Sequence, residues 1–158
     1  MHQPEQLALT SSAFDDGGEI PALYTCRGRN ISPPLSWAGA PEGTRSLALI
    51  MEDPDTPFGT VTHWVLYNIP PDPARLAEGT PPGRTLSGDL RQGRNGMFRF
   101  GYMGPCPPWG RHRYVLTLFA LETPIPDGGV MNKRRLLRAI EPHILARATL
   151  VGHYARTR

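Results

Sequence analysis

Val61-Thr62-His63-Trp64-Val65-Leu66-Tyr67-Asn68-Ile69 carries large apolar side chains at both parities. Successive side chains of a β-strand point to opposite faces. Strict alternation therefore puts Val61, His63, Val65, Tyr67 and Ile69 on one face, and Thr62, Trp64 and Leu66 on the other. A strand apolar on both faces belongs between two packed layers. Tyr114-Val115-Leu116-Thr117-Leu118-Phe119-Ala120-Leu121 repeats the pattern, with His112 sharing the parity of Tyr114 and Leu116, and Pro124 and Pro126 close it. Two central strands are predicted, each beginning next to a histidine.

Outward from these, Leu7-Ala8-Leu9-Thr10-Ser11, Leu47-Ala48-Leu49-Ile50-Met51 and Thr149-Leu150-Val151-Gly152-His153-Tyr154 are short apolar runs bounded by turn residues, and read as further strands. Pro70 to Gly96 is dense in proline and glycine and sustains neither a 2.0 nor a 3.6 period, so it reads as a long surface excursion. Only the C-terminal part has a helical period. Leu136, Leu137, Ile140 and Ile144 form one apolar stripe, Lys133, Arg134, Arg135 and Arg138 turn to solvent, and Asn132 is placed to cap. Pro142 predicts a break near Glu141 and a new turn with proline at its first position. Many strands and little helix imply one domain over residues 1–158, an antiparallel β-sandwich with Greek-key connections and a short C-terminal helical segment.

The 158 residues suffice for a core without staples. The 17 glycines and 18 prolines fall singly or in short clusters, as turns of a loop-rich β protein do. Net charge is only +3, and the basic residues are all arginine except Lys133. Arginine suits carboxylate and phosphate partners, but these residues are scattered and no aromatic-basic stripe appears, so nucleic acid is not an expected ligand. No apolar run approaches the roughly 20 residues of a membrane span, and no signal-like start is present, so a cytoplasmic protein is expected. In that compartment Cys26 and Cys106 are expected to be free thiols.

The polar residues cluster around proline-braced loops. Asp53-Pro54-Asp55-Thr56-Pro57 precedes His63-Trp64, and Gly104-Pro105-Cys106-Pro107-Pro108 runs into His112-Arg113-Tyr114. Two imidazoles and a carboxylate at one cavity offer N–H donors and positive charge to an anion. The same set also resembles a metal site of two His and one or two Asp, ranked lower because no close His-x-His or His-x₃-His spacing occurs. One of Asp53 and Asp55 can orient a histidine while the other caps backbone amides; both simply holding an Asx-type turn is the alternative. Arg113, of opposite parity to His112, is expected in a salt bridge. Trp64 is expected in the core, and Cys106 as inert packing. No Gly-x-Ser-x-Gly elbow exists, and neither motif loop contains a serine, so nucleophilic hydrolysis is the weaker class.

These four pieces, in this order and spacing, resemble the phosphatidylethanolamine-binding proteins, also called Raf kinase inhibitor-like proteins. Ile20-Pro21-Ala22-Leu23-Tyr24-Thr25-Cys26 and Asn30-Ile31-Ser32-Pro33-Pro34-Leu35-Ser36-Trp37 are similar to the bacterial and archaeal branch. The resemblance implies the sandwich fold and points to Asp53 as the inward carboxylate. It also implies an anion pocket drawn from Asp53, Asp55, Pro57, His63, Gly104, Pro105, His112 and Tyr114, with no cofactor and no required metal. The expected ligand is a small phosphate-like or carboxylate anion, the expected role a binding or inhibitory module for a kinase or protease, and the alternative a hydrolase using a histidine base. Pro142 stands where the family commonly has glycine. Eukaryotic members add a C-terminal helix lining the pocket, whereas this chain ends at Arg158 soon after the last strand. A more open pocket is expected, with a homodimer shielding Trp109 and Met103.

Overall fold

The computed structural model describes residues 6–156. In chain order the strands are β1 (Ala8–Thr10), β2 (Leu35–Ala38), β3 (Ser46–Thr56), β4 (Gly59–Ile69), β5 (Arg75–Leu76), β6 (Arg91–Gln92), β7 (Arg111–Leu121) and β8 (Ile144–Ala155), with one helix, α1 (Lys133–Ile140), between the last two. A three-stranded sheet, β1-β2-β5, lies over one face of a five-stranded sheet, β6-β4-β3-β7-β8. All pairings between these strands are antiparallel.

The core divides as a two-sided central sheet requires. Between the sheets pack Leu9, Leu35, Trp37, Leu47, Leu49, Met51, Trp64, Leu66, Tyr114, Leu116 and Leu150. On the far face, Ala48, Ile50, Val65, Tyr67 and Phe119 meet Leu136 and Ile140 of α1 together with Ile125 and Met131. β4 and β7 are central and apolar on both faces, as their sequences predict.

Strict alternation fails in β4 at two places. Met51 pairs with Trp64 but Glu52 pairs with Thr62, so one step on β3 matches two on β4 and His63 is the extra residue of a β-bulge. Leu47 pairs with Ile69 and Leu49 with Leu66, two steps against three, and Asn68 sits in this second irregularity at φ 58°. Asparagine tolerates that conformation better than most residues, and its amide is tied down by Nδ2 donating to the Ile125 carbonyl (2.9 Å) and Oδ1 accepting from the Ile125 N–H (2.7 Å). The faces expected for this strand are corrected accordingly. Directly paired residues share a face, so Val61 and Ile69 join Trp64 and Leu66 between the sheets, opposite Asp53 and Leu47. Thr62 joins Val65 and Tyr67 on the helix side.

The excursion after Ile69 is more anchored than its composition suggests. β5 and β6 lie within it, and Gln92 is fully buried. Its Oε1 accepts from Trp64 Nε1 (2.7 Å), while its Nε2 donates to the carbonyls of Pro81 (2.9 Å) and Gly83 (2.8 Å). One amide thus pins two turns of the loop to the core tryptophan.

The helix begins where Asn132 Oδ1 accepts from the Arg135 N–H (2.9 Å). Leu136 and Ile140 are buried, whereas Leu137 is exposed. Lys133 ion-pairs with Glu52, so it is not simply solvent-facing as the helical pattern suggests. A single 3₁₀ turn over Glu141–His143 accommodates Pro142, and β8 starts at Ile144, five residues before the apolar run at Thr149. Small Ala146 and Ala148 on either side of Arg147 hide the first half of this strand from a hydrophobic reading.

Candidate functional site

Asp53, His63, His112 and Tyr114 converge at one end of the five-stranded sheet, on the face between the sheets. Asp53 follows Met51 by one full pleat, and His112 precedes Tyr114 by one, so β3 and β7 deliver them to the same face. His63 reaches that face only through the β4 bulge. Its ring meets Tyr114 edge-on at 5.2 Å between centroids, and the His112 ring lies 6.5 Å from Tyr114 at an interplanar angle of 24°. Asp53, His63 and His112 are 2%, 5% and 6% exposed, so these polar groups form a buried cluster.

Each imidazole is fixed by its Nδ1. His112 Nδ1 lies 2.6 Å from Asp53 Oδ2, and a carboxylate so placed accepts, so this nitrogen carries a proton. His63 Nδ1 donates to the Met103 carbonyl, and the Met103 N–H donates back to the His63 carbonyl (2.9 Å). The remaining Nε2 of each ring has no partner among the described residues. Burial lowers the His63 pKa and outweighs the Met103 hydrogen bond and the nearby Asp53 charge, which raise it; the His112 charge adds to the lowering. His63 is therefore a neutral ring near neutral pH.

The Tyr114 hydroxyl is buried without a hydrogen bond. Asp53 and the Cys106 backbone lie near enough to perturb its ionisation, but neither meets it with bonding geometry. Burial first, then the Asp53 charge, pushes its pKa well above the ordinary value, so it stays a phenol able to donate.

Asp53 combines the two roles weighed for the carboxylate pair: Oδ2 orients His112 while Oδ1 accepts from the Asp55 N–H (2.8 Å) in an Asx turn. Asp55 does not cap amides of its own turn. It accepts from Arg113 N (2.8 Å), Nε (2.9 Å) and Nη2 (2.7 Å), which confirms the salt bridge read for Arg113. That hydrogen bonding holds the Asp55 carboxyl at about 2. Pro57 lies in the exposed turn joining β3 to β4, away from the buried cluster. Trp64 is wholly buried core.

Gly104 and Pro105 act on the cluster from behind. The Gly104 N–H donates to Asn30 Oδ1 (3.0 Å), and a Cβ there would sit 2.2 Å from that oxygen and 2.4 Å from the Tyr24 carbonyl. The Pro105 carbonyl accepts from the Cys26 N–H (3.1 Å), and Tyr102 Oη donates to the Tyr24 carbonyl (2.7 Å). This lashing holds Met103, and through it His63. Asn30 adopts φ 59° to make its contact.

The expectation of free thiols is corrected: Cys26 and Cys106 form a disulfide across 80 residues, with Cα atoms 5.4 Å apart. The backbone bonds just described bring the two loops side by side, a proximity that sequence spacing does not reveal. Among the described residues no three His, Cys, Asp or Glu side chains are grouped as metal ligands. No described helix is long and apolar enough to cross a membrane. Trp109 is 65% exposed, as expected for the rim, but Met103 is half-buried.

Comparison with known proteins fits this geometry. The family model for phosphatidylethanolamine-binding protein matches residues 10–155. The chain belongs to that family. A UPF0098 protein of Methanothermobacter thermautotrophicus is 49% identical over 148 residues, covering 94% of this chain and 98% of the relative. A UPF0098 protein of Aquifex aeolicus is 44% identical, covering 95% and 89%. Among solved structures, a putative phosphatidylethanolamine-binding protein homolog from Chlamydia trachomatis, CT736, superposes with a TM-score of 0.89 at 40% identity, covering 96% of this chain and 99% of that one. Escherichia coli YbcL, described as a member of the mammalian family, gives 0.87 at 30% identity, covering 97% and 100%. The family and its mostly-β fold, expected from the four motif pieces, are thereby established.

Proposed function

We propose that Asp53, His63, His112 and Tyr114 form a receptor for a small phosphate-like anion, and that the protein acts by binding rather than by catalysis. The observation that carries this is the His112–Asp53 pair at 2.6 Å beside the unpartnered Tyr114 hydroxyl. The carboxylate fixes the His112 tautomer so that Nε2 faces away from it and balances the charge when the ring is an imidazolium. An N–H and an O–H donor in a recess poor in water suit an anionic oxygen. Asp55, Gly104 and Pro105 brace the site from its borders, whereas Pro57 belongs to the exposed turn between β3 and β4. The Cys26–Cys106 bond, between exposed residues, fits an oxidising compartment better than the cytoplasm expected from the sequence; in this reading no cofactor takes part, and a kinase or protease is the kind of protein partner such a module would regulate.

Titration calorimetry with inorganic phosphate tests the site. His112→Ala removes one donor to the anion, and affinity should fall by roughly 10- to 100-fold, the range for a hydrogen bond to a charged group. Phosphate affinity unchanged in both His112→Ala and His63→Ala would remove the assignment. Steady release of phosphate from a phosphomonoester, lost in His63→Ala, would replace it with a hydrolase.

A further inference from the structure

The two histidines of the recess differ in what they offer a ligand. A carbonyl oxygen only accepts, so the bond from His63 Nδ1 to Met103 O commits the His63 proton to that side. The second bond between the same residues, Met103 N–H to His63 O, holds the Met103 carbonyl beside the ring. A neutral His63 then presents a lone pair at Nε2, not an N–H. The ring is 5% exposed, and the groups around it are the Tyr114 edge, His112 and Asp53. Its own Nδ1 partner is a carbonyl, which supplies no counter-charge for an imidazolium, and burial opposes protonation further. At His112, by contrast, a second proton on Nε2 would have the Asp53 carboxylate, 2.6 Å from Nδ1, as its counter-charge, and the Tyr114 hydroxyl is an unused donor.

An anion without hydrogens would place an oxygen lone pair against the His63 lone pair. Such a contact is repulsive, and it leaves a buried acceptor unpaired. A phosphate group that retains one P–OH resolves the conflict. Its hydroxyl donates to His63 Nε2 while its anionic oxygens accept from His112 Nε2 and Tyr114 Oη. We infer that His63 is a specificity-determining acceptor that selects a hydrogenphosphate group, bearing a P–OH, over hydrogen-free oxyanions. This rests on the anion-site reading above and narrows it.

The candidate ligands sort by their protons. Inorganic phosphate keeps a P–OH through the neutral range. A phosphomonoester loses its last proton with a pKa of about 6. A phosphodiester, which is the linkage within an intact phospholipid headgroup, has no P–OH, and sulfate is a bare dianion of nearly the same shape. Inorganic phosphate is thus the best neutral-pH ligand of the series, and the lipid diester is rejected along with sulfate.

The test is calorimetry on the unmodified protein near neutral pH with four probes: inorganic phosphate, phosphorylethanolamine, glycerophosphorylethanolamine and sulfate. Phosphate should bind at least about 10-fold tighter than sulfate and glycerophosphorylethanolamine, the range for leaving a buried hydrogen-bonding group unpaired, with phosphorylethanolamine between. In His63→Gln the side-chain amide can turn its N–H₂ to the ligand, and the preference for phosphate over sulfate should collapse to within about twofold. Sulfate or the diester binding the unmodified protein as tightly as phosphate would overturn the role of His63 while leaving the anion site standing. Failure of all four probes to bind would remove both.

Discussion

Removing the Cys26–Cys106 bridge should cost this protein a large fraction of its stability. The bond closes a loop of 80 residues. In the chain-entropy model a loop of that length restricts the unfolded ensemble by about 4.5 kcal/mol at 25 °C. For a domain of this size each 1 kcal/mol moves the melting temperature by roughly 2–4 °C, so Cys26→Ser/Cys106→Ser should melt about 9–18 °C below the oxidised protein. The bridge is accessible, because both cysteines are exposed residues. Reductant should therefore reach it in the folded state and reproduce the shift without substitution. Scanning calorimetry of oxidised, reduced and double-serine protein, with thiol titration to count free cysteines, checks both statements. A shift below about 2 °C would refute the loop-closure reasoning. Two reactive thiols in air-equilibrated native protein would refute the bond itself and restore the expectation of free thiols.

Two further outcomes follow from the site. Gly104→Ala forces a methyl group to within 2.2 Å of Asn30 Oδ1 and 2.4 Å of the Tyr24 carbonyl, so urea unfolding should show a loss of about 1–3 kcal/mol, as overpacking does; an unchanged midpoint would contradict the close approach. The second concerns acid. The folded-state pKa of His63 lies below the unfolded value of about 6.5, so the unfolded chain binds the proton more readily. The contribution from this ring is intact above about pH 6.5 and declines as pH falls from there toward the folded pKa. Urea midpoints from about pH 5 to 8 should slope less in His63→Gln than in the unmodified protein, and parallel slopes would show that this ring titrates normally.

How much of this was legible beforehand divides along physical lines. Apolar runs at both parities made β4 and β7 central strands, and the helix came from Leu136, Ile140 and a capping asparagine, while Leu137 is exposed and Ile144, read in the same stripe, starts β8. These are local signals, set by the geometry of one element. The bulge at His63 is different in kind. It arises because β3 and β4 differ in the number of residues spanning the same length of ladder, a property of the pair that neither strand carries alone. Read by strict alternation, His63 lies on the opposite face from Trp64. With one extra residue it turns to the face of Asp53, His112 and Tyr114, and the constellation exists only because of that turn. The first half of β8 stayed hidden for a related reason, since Ala146 and Ala148 pack against the core on small side chains that give weak apolar contrast.

The loop residues show where motif reading stops. The family resemblance implies Gly104 and Pro105 as pocket residues. In three dimensions the Gly104–Pro108 loop is fastened on its far side, by Asn30, by Cys26 and by the disulfide, while Met103, which no motif singled out, meets His63 with both its N–H and its carbonyl. A backbone carbonyl has no sequence signature, since every residue carries one. Yet this carbonyl decides which nitrogen of His63 bears the proton. The glycine and prolines therefore serve the chemistry at one remove: Gly104 permits the close approach to Tyr24 and Asn30, that approach fixes Met103, and Met103 fixes the histidine. The family motif marks the beginning and end of this chain of contacts, and the carbonyl that fixes the His63 tautomer lies in its middle.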